Sequence, residues 1–407
     1  MLTQQVAKMS KAYDVVVCGC GSAGFCAAVA AARNGARVAV IEKYSTPGGI
    51  LTVLGSNAID QFNNPFRKTK KMIVGGIAQE LVSRLHEENF AFVPNMDAPY
   101  RVHSQYSVKV NPVATAKIMD DMLIEAGVDI YYDQPIVEAI VSENEIKHVL
   151  VATKDGLLSV SAKIFIDCTG DGDLAHLAGA ETQGGDANGK FQPGTLRYYP
   201  AISGDPDDKV LNFGDNKNHV SINTTSSDGI TQAQIAARRM MYAQMQANAR
   251  IMACAPSVAP REGRRIKGVC TMKIEDYFSG KQYFDSVCYT FWFVDIHREG
   301  QAAQIRYIKH ENTPSVRLSA MISADLANLM MAGRCISTDR ETNSAIRVKA
   351  SCMAMGQAAG TAAAIAALDN ASLTEINIDR LKKTLAGQNA IVPGISDGEE
   401  IPQSWRK

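Results

Sequence analysis

Residues 13–42 read YDVVVCGCGSAGFCAAVAAARNGARVAVIE, and the rest of the chain is organised around them. Val15, Val16 and Val17 are a β-branched run suited to a strand covered on both faces. Gly19-Cys20-Gly21-Ser22-Ala23-Gly24 then fits G-x-G-x-x-G. Gly19 permits the sharp turn out of the strand. Gly21 presents no side chain to a pyrophosphate, and Gly24 lets the next helix lie close to the sheet. The helix runs through the alanines towards Gly35, which suits a C-cap. A second strand at 38–41 ends on Glu42, 23 positions after Gly19, close to the spacing at which a carboxylate meets a ribose hydroxyl. The order strand, glycines, helix, strand, acid implies a dinucleotide ligand. The acid disfavours a 2′-phosphate and leaves FAD and NAD.

A length of 407 residues suggests two or more domains, or one large interleaved pair. The apolar fraction of 46% and charged fraction of 21% are those of a globular chain with a large core. Lys+Arg and Asp+Glu both number 42. A zero net charge argues against nucleic acid or an anionic membrane as partner and leaves a small-molecule substrate, with a homo-oligomer open. The nine cysteines include no C-x-x-C pair, which points to a reducing, cytoplasmic compartment and away from an iron–sulfur relay. Residues 1–10 lack the apolar core of a secretory signal, and the alanine-rich stretch 358–368 is too short to span a bilayer. No metal-ligand set stands out.

Beyond Glu42, Thr46-Pro47-Gly48-Gly49 would let the backbone pass close to a flat ligand. Residues 58–107 look like an excursion, with an amphipathic helix at 77–88 on Ile77, Leu81, Val82 and Leu85. A strand at 108–110 leads to Asn111-Pro112, a helix start, and that helix buries Met119, Met122 and Leu123. A strand at 128–132 precedes a three-stranded antiparallel meander, 136–141, 146–153 and 157–160, and a further strand at 162–166. The last ends in Asp167-Cys168-Thr169-Gly170-Asp171-Gly172-Asp173, a glycine turn with acids at a strand's carboxyl end, where doubly wound sheets bind ligands. Further on, weak strands at 195–199 and 220–222 and a helix over 230–253 are expected. Arg261, Arg264 and Arg265 precede a strand at 266–272 and suit a pocket for an anion. The apolar run 287–296 closes on Asp295-Ile296-His297, and His297 is a candidate acid–base group. A strand at 329–332, the loop Gly333-Arg334-Cys335-Ile336-Ser337 and a small-residue helix at 353–368 follow. Residues 395–407 read as a polar tail.

Three separated pieces, read together, resemble the FAD-dependent oxidoreductase family of the glutathione-reductase-like flavoprotein superfamily. They are GCGSAGFCAA with IEK and PGG, IDCTGDGDLAHLAGA, and NLMMAGRCIS with AIRVKASCMAMGQAAGTAAA. The resemblance implies an α/β fold: a glutathione-reductase-type FAD-binding Rossmann-like domain with its meander (11–57, 108–185 and 325–370), an interleaved α+β substrate domain (58–107 and 186–324), and a C-terminal helix and tail (371–407). By that resemblance Gly19, Gly21, Ser22, Ala23 and Gly24 cradle the FAD pyrophosphate. Glu42 binds the adenosine ribose with Lys43 beside it, and Val137 touches the adenine through its backbone. Gly49 and Thr52 run along the flavin side, and Thr169, Gly170 and Asp171 lie near the ribityl chain. Gly333, Arg334, Ile346 and Arg347 sit at the far end, with the helix start at 350–354 near flavin O2. The sequence departs from the family pattern in a short loop before Arg261 and in 312–324, where Arg317 stands without a tyrosine partner.

The expected function is hydride transfer between flavin N5 and a small polar substrate, anionic ones included. His297, Arg264 and Arg347 are the candidates for proton transfer and anion binding. A flavin-bearing scaffold or relay subunit and an NAD-only dehydrogenase are the alternatives.

Overall fold

The computed structural model describes residues 7–200, 209–212, 223, 225–246, 251–298 and 300–405. β1 (Ala7–Cys18) leads through the glycine turn into α1 (Ser22–Arg33) and back to β2 (Val38–Ile41). β1 and β2 are parallel, with Val15 opposite Val38 and Cys18 opposite Ile41. The three valines are fully buried, as a strand covered on both faces requires. Gly35 follows the helix at φ +89°, a left-handed conformation that costs glycine nothing sterically.

The chain then leaves the sheet. β3 (Ala58–Ile59), α2 (Gly76–Glu87), β4 (Ala91–Phe92) and β5 (Val108–Val110) follow, the strands forming a small antiparallel sheet in the order β3-β5-β4. β3 and β4 are too short to carry a period, so only β5 was foreseeable. Ile77, Leu81, Val82 and Leu85 form the buried stripe of α2. α3 (Pro112–Glu125) starts where Asn111 Oδ1 accepts the Val113 and Ala114 amides at 2.9 and 3.1 Å. Its buried face holds Met119, Met122 and Leu123.

β6 (Asp129–Tyr131) adds in parallel to β2. β7 (Ile136–Ser142), β8 (Glu145–Thr153) and β9 (Gly156–Asp167) are successive antiparallel neighbours. β9 is one strand rather than the two expected at 157–160 and 162–166. No glycine or proline interrupts it, and it pairs in parallel with β1 from Leu157 to Asp167. α4 (Asp173–Leu177) follows the glycine turn.

The next region holds β10 (Thr182–Gln183), β11 (Thr195–Pro200), β12 (Lys209–Asn212), α5 (Ser227–Gln246), β13 (Ile251–Cys254), β14 (Arg265–Ile266), α6 (Ile274–Ser279), β15 (Ser286–Tyr289), β16 (Val294–Arg298), β17 (Gln301–Arg306) and β18 (Ser315–Arg317). Three expectations are corrected. The helix over 230–253 ends at Gln246, and 251–254 is a strand because it pairs with Tyr198–Pro200 of β11. The strand over 266–272 shrinks to Arg265–Ile266, since the next residues meet two partners in turn, Gly268 with Ser323 and Met272 with Thr338. The apolar run 287–296 is two strands with different partners, β15 with β18 and β16 with β17. The strand expected at 220–222 lies outside the described residues.

β19 (Leu329–Met331) returns to pair in parallel with the end of β9. The central sheet then reads β6-β2-β1-β9-β8-β7 with β19 beside β9. α7 (Arg340–Ile346), α8 (Lys349–Asp369) and α9 (Ile378–Gly387) complete the fold. α8 starts four residues before the expected 353 and packs along α1. A Cβ on Gly356 would overlap the Ala23 carbonyl and one on Gly360 the Ala27 carbonyl, so two glycines one turn apart bring the helix backbones into contact. Among the described residues α8 is the one helix long and apolar enough to cross a membrane, and 89% of its apolar window is buried inside the protein.

The described part of the segment read as a polar tail is docked through Ile401 and Trp405. Trp405 meets Phe62 edge-on at 5.3 Å and donates from Nε1 to Ser83 Oγ at 3.2 Å, and Ile401 is buried too.

Candidate functional site

The carboxyl ends of β1, β9 and β19 bring the three sequence segments together. The Cys168 amide donates to Cys18 O at 2.8 Å, and the Ala332 amide to Asp167 O at 3.1 Å. Gly48 donates to Cys20 O at 2.7 Å and bridges Gly21. A Cβ on Gly333 would meet the Ala23 Cβ at 3.1 Å. Segments 13–49, 167–173 and 333–356 therefore meet at the start of α1.

The glycines there differ in what they leave room for. A side chain on Gly24 would overlap the Gly19 carbonyl, whereas one on Gly21 would meet no atom within 4 Å. Gly24 is a packing glycine; Gly21 borders open space. No side chain caps α1, so its first-turn amides remain for an anion.

Glu42 is buried at the end of β2 and accepts the Cys20 and Tyr44 amides at 2.6 and 2.9 Å. Burial pushes its carboxyl up, against the pull of those two amides. A carboxylate has acceptor sites beyond two, so a hydroxyl can still be bound. The turn after β6 rests on this residue, Gln134 N donating to Glu42 O at 3.1 Å. Val137 falls where the β7–β8 register shifts, a bulge that leaves its backbone outside the ladder. Lys43 stands 3.9 Å from Asp173. The Thr52 hydroxyl donates to Pro47 O, and Gly49 packs against Gly21.

On the far side Thr169 donates to Asp167 Oδ1 from its amide and hydroxyl at 3.0 and 2.7 Å. Burial carries the Asp167 carboxyl up to about 6 despite these donors. Gly170 lies against Arg334, whose Nη2 pairs with Asp171 Oδ1 at 2.9 Å. Arg334 Nη1 is buried with no hydrogen-bond partner. Asn343 Nδ2 donates to Arg334 O at 2.7 Å, and Ile346 is buried beside it in α7.

His297 and Arg347 are brought together by a residue the sequence reading passed over as a partner, Asp295. His297 Nε2 lies 2.9 Å from Asp295 Oδ1. Arg347 Nη2 donates to Asp295 O at 2.8 Å and to its Oδ2 at 3.2 Å, and Nη1 donates to Arg261 O at 2.6 Å. Burial would raise the Asp295 carboxyl, but the hydrogen bond from His297 and the charge of Arg347 outweigh it and bring it down to about 2. The available signal was spacing: residues i and i+2 of a strand share a face. Arg264 is elsewhere engaged, donating to Asp173 Oδ1 at 3.0 Å, Asp171 O at 3.2 Å and Thr225 O at 2.9 Å. It ties down the 169–173 turn rather than joining His297. Arg317, the lone arginine of 312–324, pairs with Asp285 at 2.8 Å.

The β16–β17 hairpin that carries His297 is rooted in aromatic rings around His103. This imidazole stacks on Phe291 and Tyr307 at 6.0 and 5.2 Å, and its Nδ1 meets Tyr100 Oη at 2.8 Å. It is fully buried, its Nε2 has no partner, and burial, helped by Lys309, brings its pKa down to about 4. Unfolding restores a value near 6.5, so the neutral ring's contribution is complete above that pH and is lost as pH falls towards 4. At most about 3 kcal/mol is at stake. Asp167, raised to about 6, works in the opposite sense over part of the same window, so the wild type alone does not isolate the effect. In urea unfolding, His103→Phe is expected to lose less stability than wild type between pH 7 and pH 4.5. Equal losses would remove His103 as the cause.

A family model described as FAD dependent oxidoreductase matches residues 14–242 and 212–385. The chain belongs to that family. FAD is its cofactor and oxidoreduction its chemistry, which sets aside the NAD-only alternative. Among solved structures, a geranylgeranyl bacteriochlorophyll reductase-like protein from Thermoplasma acidophilum is 12% identical over 94% of this chain and 85% of its own, at a TM-score of 0.45. OxyS anhydrotetracycline hydroxylase from Streptomyces rimosus is 14% identical over 93% of this chain and 66% of its own, at a TM-score of 0.46. Such distant likeness bears on neither substrate nor reaction. No curated protein sequence matches the chain significantly.

The cradle fits the cofactor of this flavoprotein family: an open Gly21, uncapped helix amides, a buried carboxylate after β2 and an orphaned guanidinium nitrogen on Arg334. Gly21 has φ −71°, which any residue adopts. Gly21→Val should therefore fold with nearly unchanged stability yet lose FAD. Each hydrogen bond lost to a phosphate is worth about 1.5–3 kcal/mol, so affinity should fall roughly ten- to hundredfold. Fluorimetric titration of the apoprotein with FAD measures this, and a valine variant with wild-type affinity would show that the pyrophosphate lies elsewhere.

Proposed function

We propose that this flavoenzyme moves a hydride between flavin N5 and a small polar substrate, anionic ones included, with His297 handling the accompanying proton. The observation that carries this reading is the His297–Asp295–Arg347 chain, which ends on Arg347 in the segment between α7 and α8. FAD, when bound, supplies the hydride acceptor or donor. Asp295 holds His297 Nε2 and leaves Nδ1 to exchange a proton with the substrate. His297 would take that proton from an alcohol or amine as the hydride leaves, with Asp295 holding the ring in place. Arg347, spanning Arg261 O and Asp295, keeps that carboxylate charged and in place. Arg264 contributes by fixing the 169–173 turn, where Thr169, Gly170 and Asp171 would line the cofactor with Gly49, Thr52, Gly333, Arg334 and Ile346. Glu42, Lys43 and Val137 would serve its adenosine end.

We also infer the glutathione-reductase type for the nucleotide-binding unit, split as 11–57, 108–185 and 325–370 around a substrate domain of 58–107 and 186–324. The antiparallel β7–β8–β9 set beside the parallel strands supports this. Nine unpaired cysteines support a reducing, cytoplasmic setting, and zero net charge supports a small molecule, rather than nucleic acid or membrane, as partner.

Anaerobic photoreduction of the bound flavin, followed by mixing with oxygen and with a panel of carbonyl and enoate acceptors, tests the reading. Reoxidation by an organic acceptor faster than by oxygen is expected. Reoxidation by oxygen alone, or by none, would remove hydride transfer to a small organic substrate.

A further inference from the structure

The contacts around His297 close into a ring. Gln192 Oε1 accepts the His297 amide at 3.1 Å, and His297 Nε2 lies 2.9 Å from Asp295 Oδ1. Arg347 Nη2 donates to Asp295 Oδ2 at 3.2 Å, while its Nη1 donates to Arg261 O at 2.6 Å. Arg261 Nη1 donates in turn to Pro193 O at 2.7 Å and to Gly194 O at 2.9 Å, which returns the path to the residue after Gln192. Gln192 is 1% exposed, and its backbone amide donates to the buried Glu262 carboxylate at 3.1 Å. Of the buried side-chain nitrogens and oxygens in this ring, Gln192 Nε2 is the one without a hydrogen-bond partner among the described residues. The side chains of His297 and Asp295 are partly exposed, which gives a small molecule an approach to the ring.

The orientation of the Gln192 side-chain amide is set by its neighbour. Turned over, it would place its NH2 against the His297 N–H, donor facing donor. Nε2 is therefore a donor at a defined place, one amide's width from the atom that holds His297. Leaving such a donor buried without an acceptor costs about 1–3 kcal/mol. We propose that Gln192 Nε2 donates to an oxygen of the substrate seated beside His297, which makes the substrate class an alcohol–carbonyl pair rather than an amine. This deepens the hydride-transfer reading and rests on it for the identity of the bound molecule as substrate. In the alcohol direction the carbon's hydrogen leaves for the flavin with its electron pair, the O–H proton passes to His297, and the C–O bond becomes C=O. The oxygen keeps lone pairs at every stage and accepts from Nε2 throughout, whereas an ammonium has none to offer. A site built around a buried donor rejects molecules that leave it unpaired.

The test is calorimetric titration of the oxidised, FAD-loaded protein with acetone, pyruvate, 2-cyclohexenone and cyclohexylamine, with flavin absorbance followed in parallel. At least one of the carbonyl compounds should bind wild type, and more tightly than cyclohexylamine does. Gln192→Met removes donor and acceptor together. Gln192→Glu, at pH 8, keeps an acceptor for the His297 amide and loses the donor. Each should weaken carbonyl binding roughly tenfold. If Gln192 served only to position His297, the glutamate variant would bind as wild type does, and the methionine variant would lose turnover without losing affinity. Either result overturns the proposal, as does a wild type that binds none of the carbonyl compounds or prefers cyclohexylamine to all of them. Where one variant fails to fold, the other decides. Carbonyl binding that depends on Gln192, in a protein whose reduced flavin no organic acceptor reoxidises, would uphold this contact and sink the hydride-transfer reading, so the two failures are distinguishable.

Discussion

Replacing His297 with alanine is expected to leave FAD bound and to lower turnover by about 10²–10⁴, the range a positioned acid–base group contributes. The ring sits near the end of β16, its backbone amide donating to Gln192 Oε1 at 3.1 Å and its Nε2 held by Asp295. Both contacts set its orientation, so removing the ring removes the proton relay without touching the cradle around Gly21. Asp295→Asn keeps a side chain of the same shape and deletes the charge facing the ring. Its turnover should fall between wild type and His297→Ala. The measurement is the rate of flavin reoxidation by the fastest organic acceptor, with the FAD content of each variant determined first. An unchanged kcat/KM in His297→Ala would mean the proton passes through another group.

The largest effect on stability is expected at Glu262. This carboxylate is fully buried and ties three parts of the chain together. Arg265 Nη1 donates to Oε1 at 2.8 Å, Arg340 donates from Nη2 to Oε2 at 2.9 Å, and the Gln192 amide donates to Oε2 at 3.1 Å. Arg265 is itself buried. Glu262→Ala therefore leaves a guanidinium without its counter-charge in the interior and weakens the hold on a second, a loss of about 3–5 kcal/mol when one partner of a buried pair is removed. The midpoint of urea unfolding should fall with little change in slope. Gln192 also carries the His297 amide bond, so the variant should lose turnover beyond what unfolding explains. A stability loss below about 1 kcal/mol would show that water replaces the carboxylate readily.

Some features were legible in the chain because their causes are local. Asn111 before Pro112 marks a helix start through bonds to amides two and three residues on. The stripe of α2 repeats at helical spacing, and its burial follows from that period alone. The errors cluster where a distant partner decides. Residues 251–254 continue a helical pattern in sequence but become a strand because β11 offers an edge. The tail is pinned because Trp405 finds Phe62, more than three hundred residues away in the chain. The candidate site divides in the same way. The glycine cradle is visible in spacing, whereas the cluster Arg261–Arg265 shows only that cations gather before a strand; that Arg264 bonds the 169–173 turn is seen in three dimensions.

The nucleotide-binding turn is written in the order of its residues: a β-branched strand, glycines where Cβ atoms cannot or should not be, an alanine helix, a second strand and an acid at its tip. Steric limits on φ and ψ and the periods of helix and strand act within a few residues, so these signals survive in one dimension. Which charges meet depends on the folded arrangement. Asp295 reaches Arg347 across 52 positions and Glu262 reaches Arg340 across 78. Such pairs form because the folded core removes alternatives such as water and places the partners within reach, and no local rule in the chain encodes that choice.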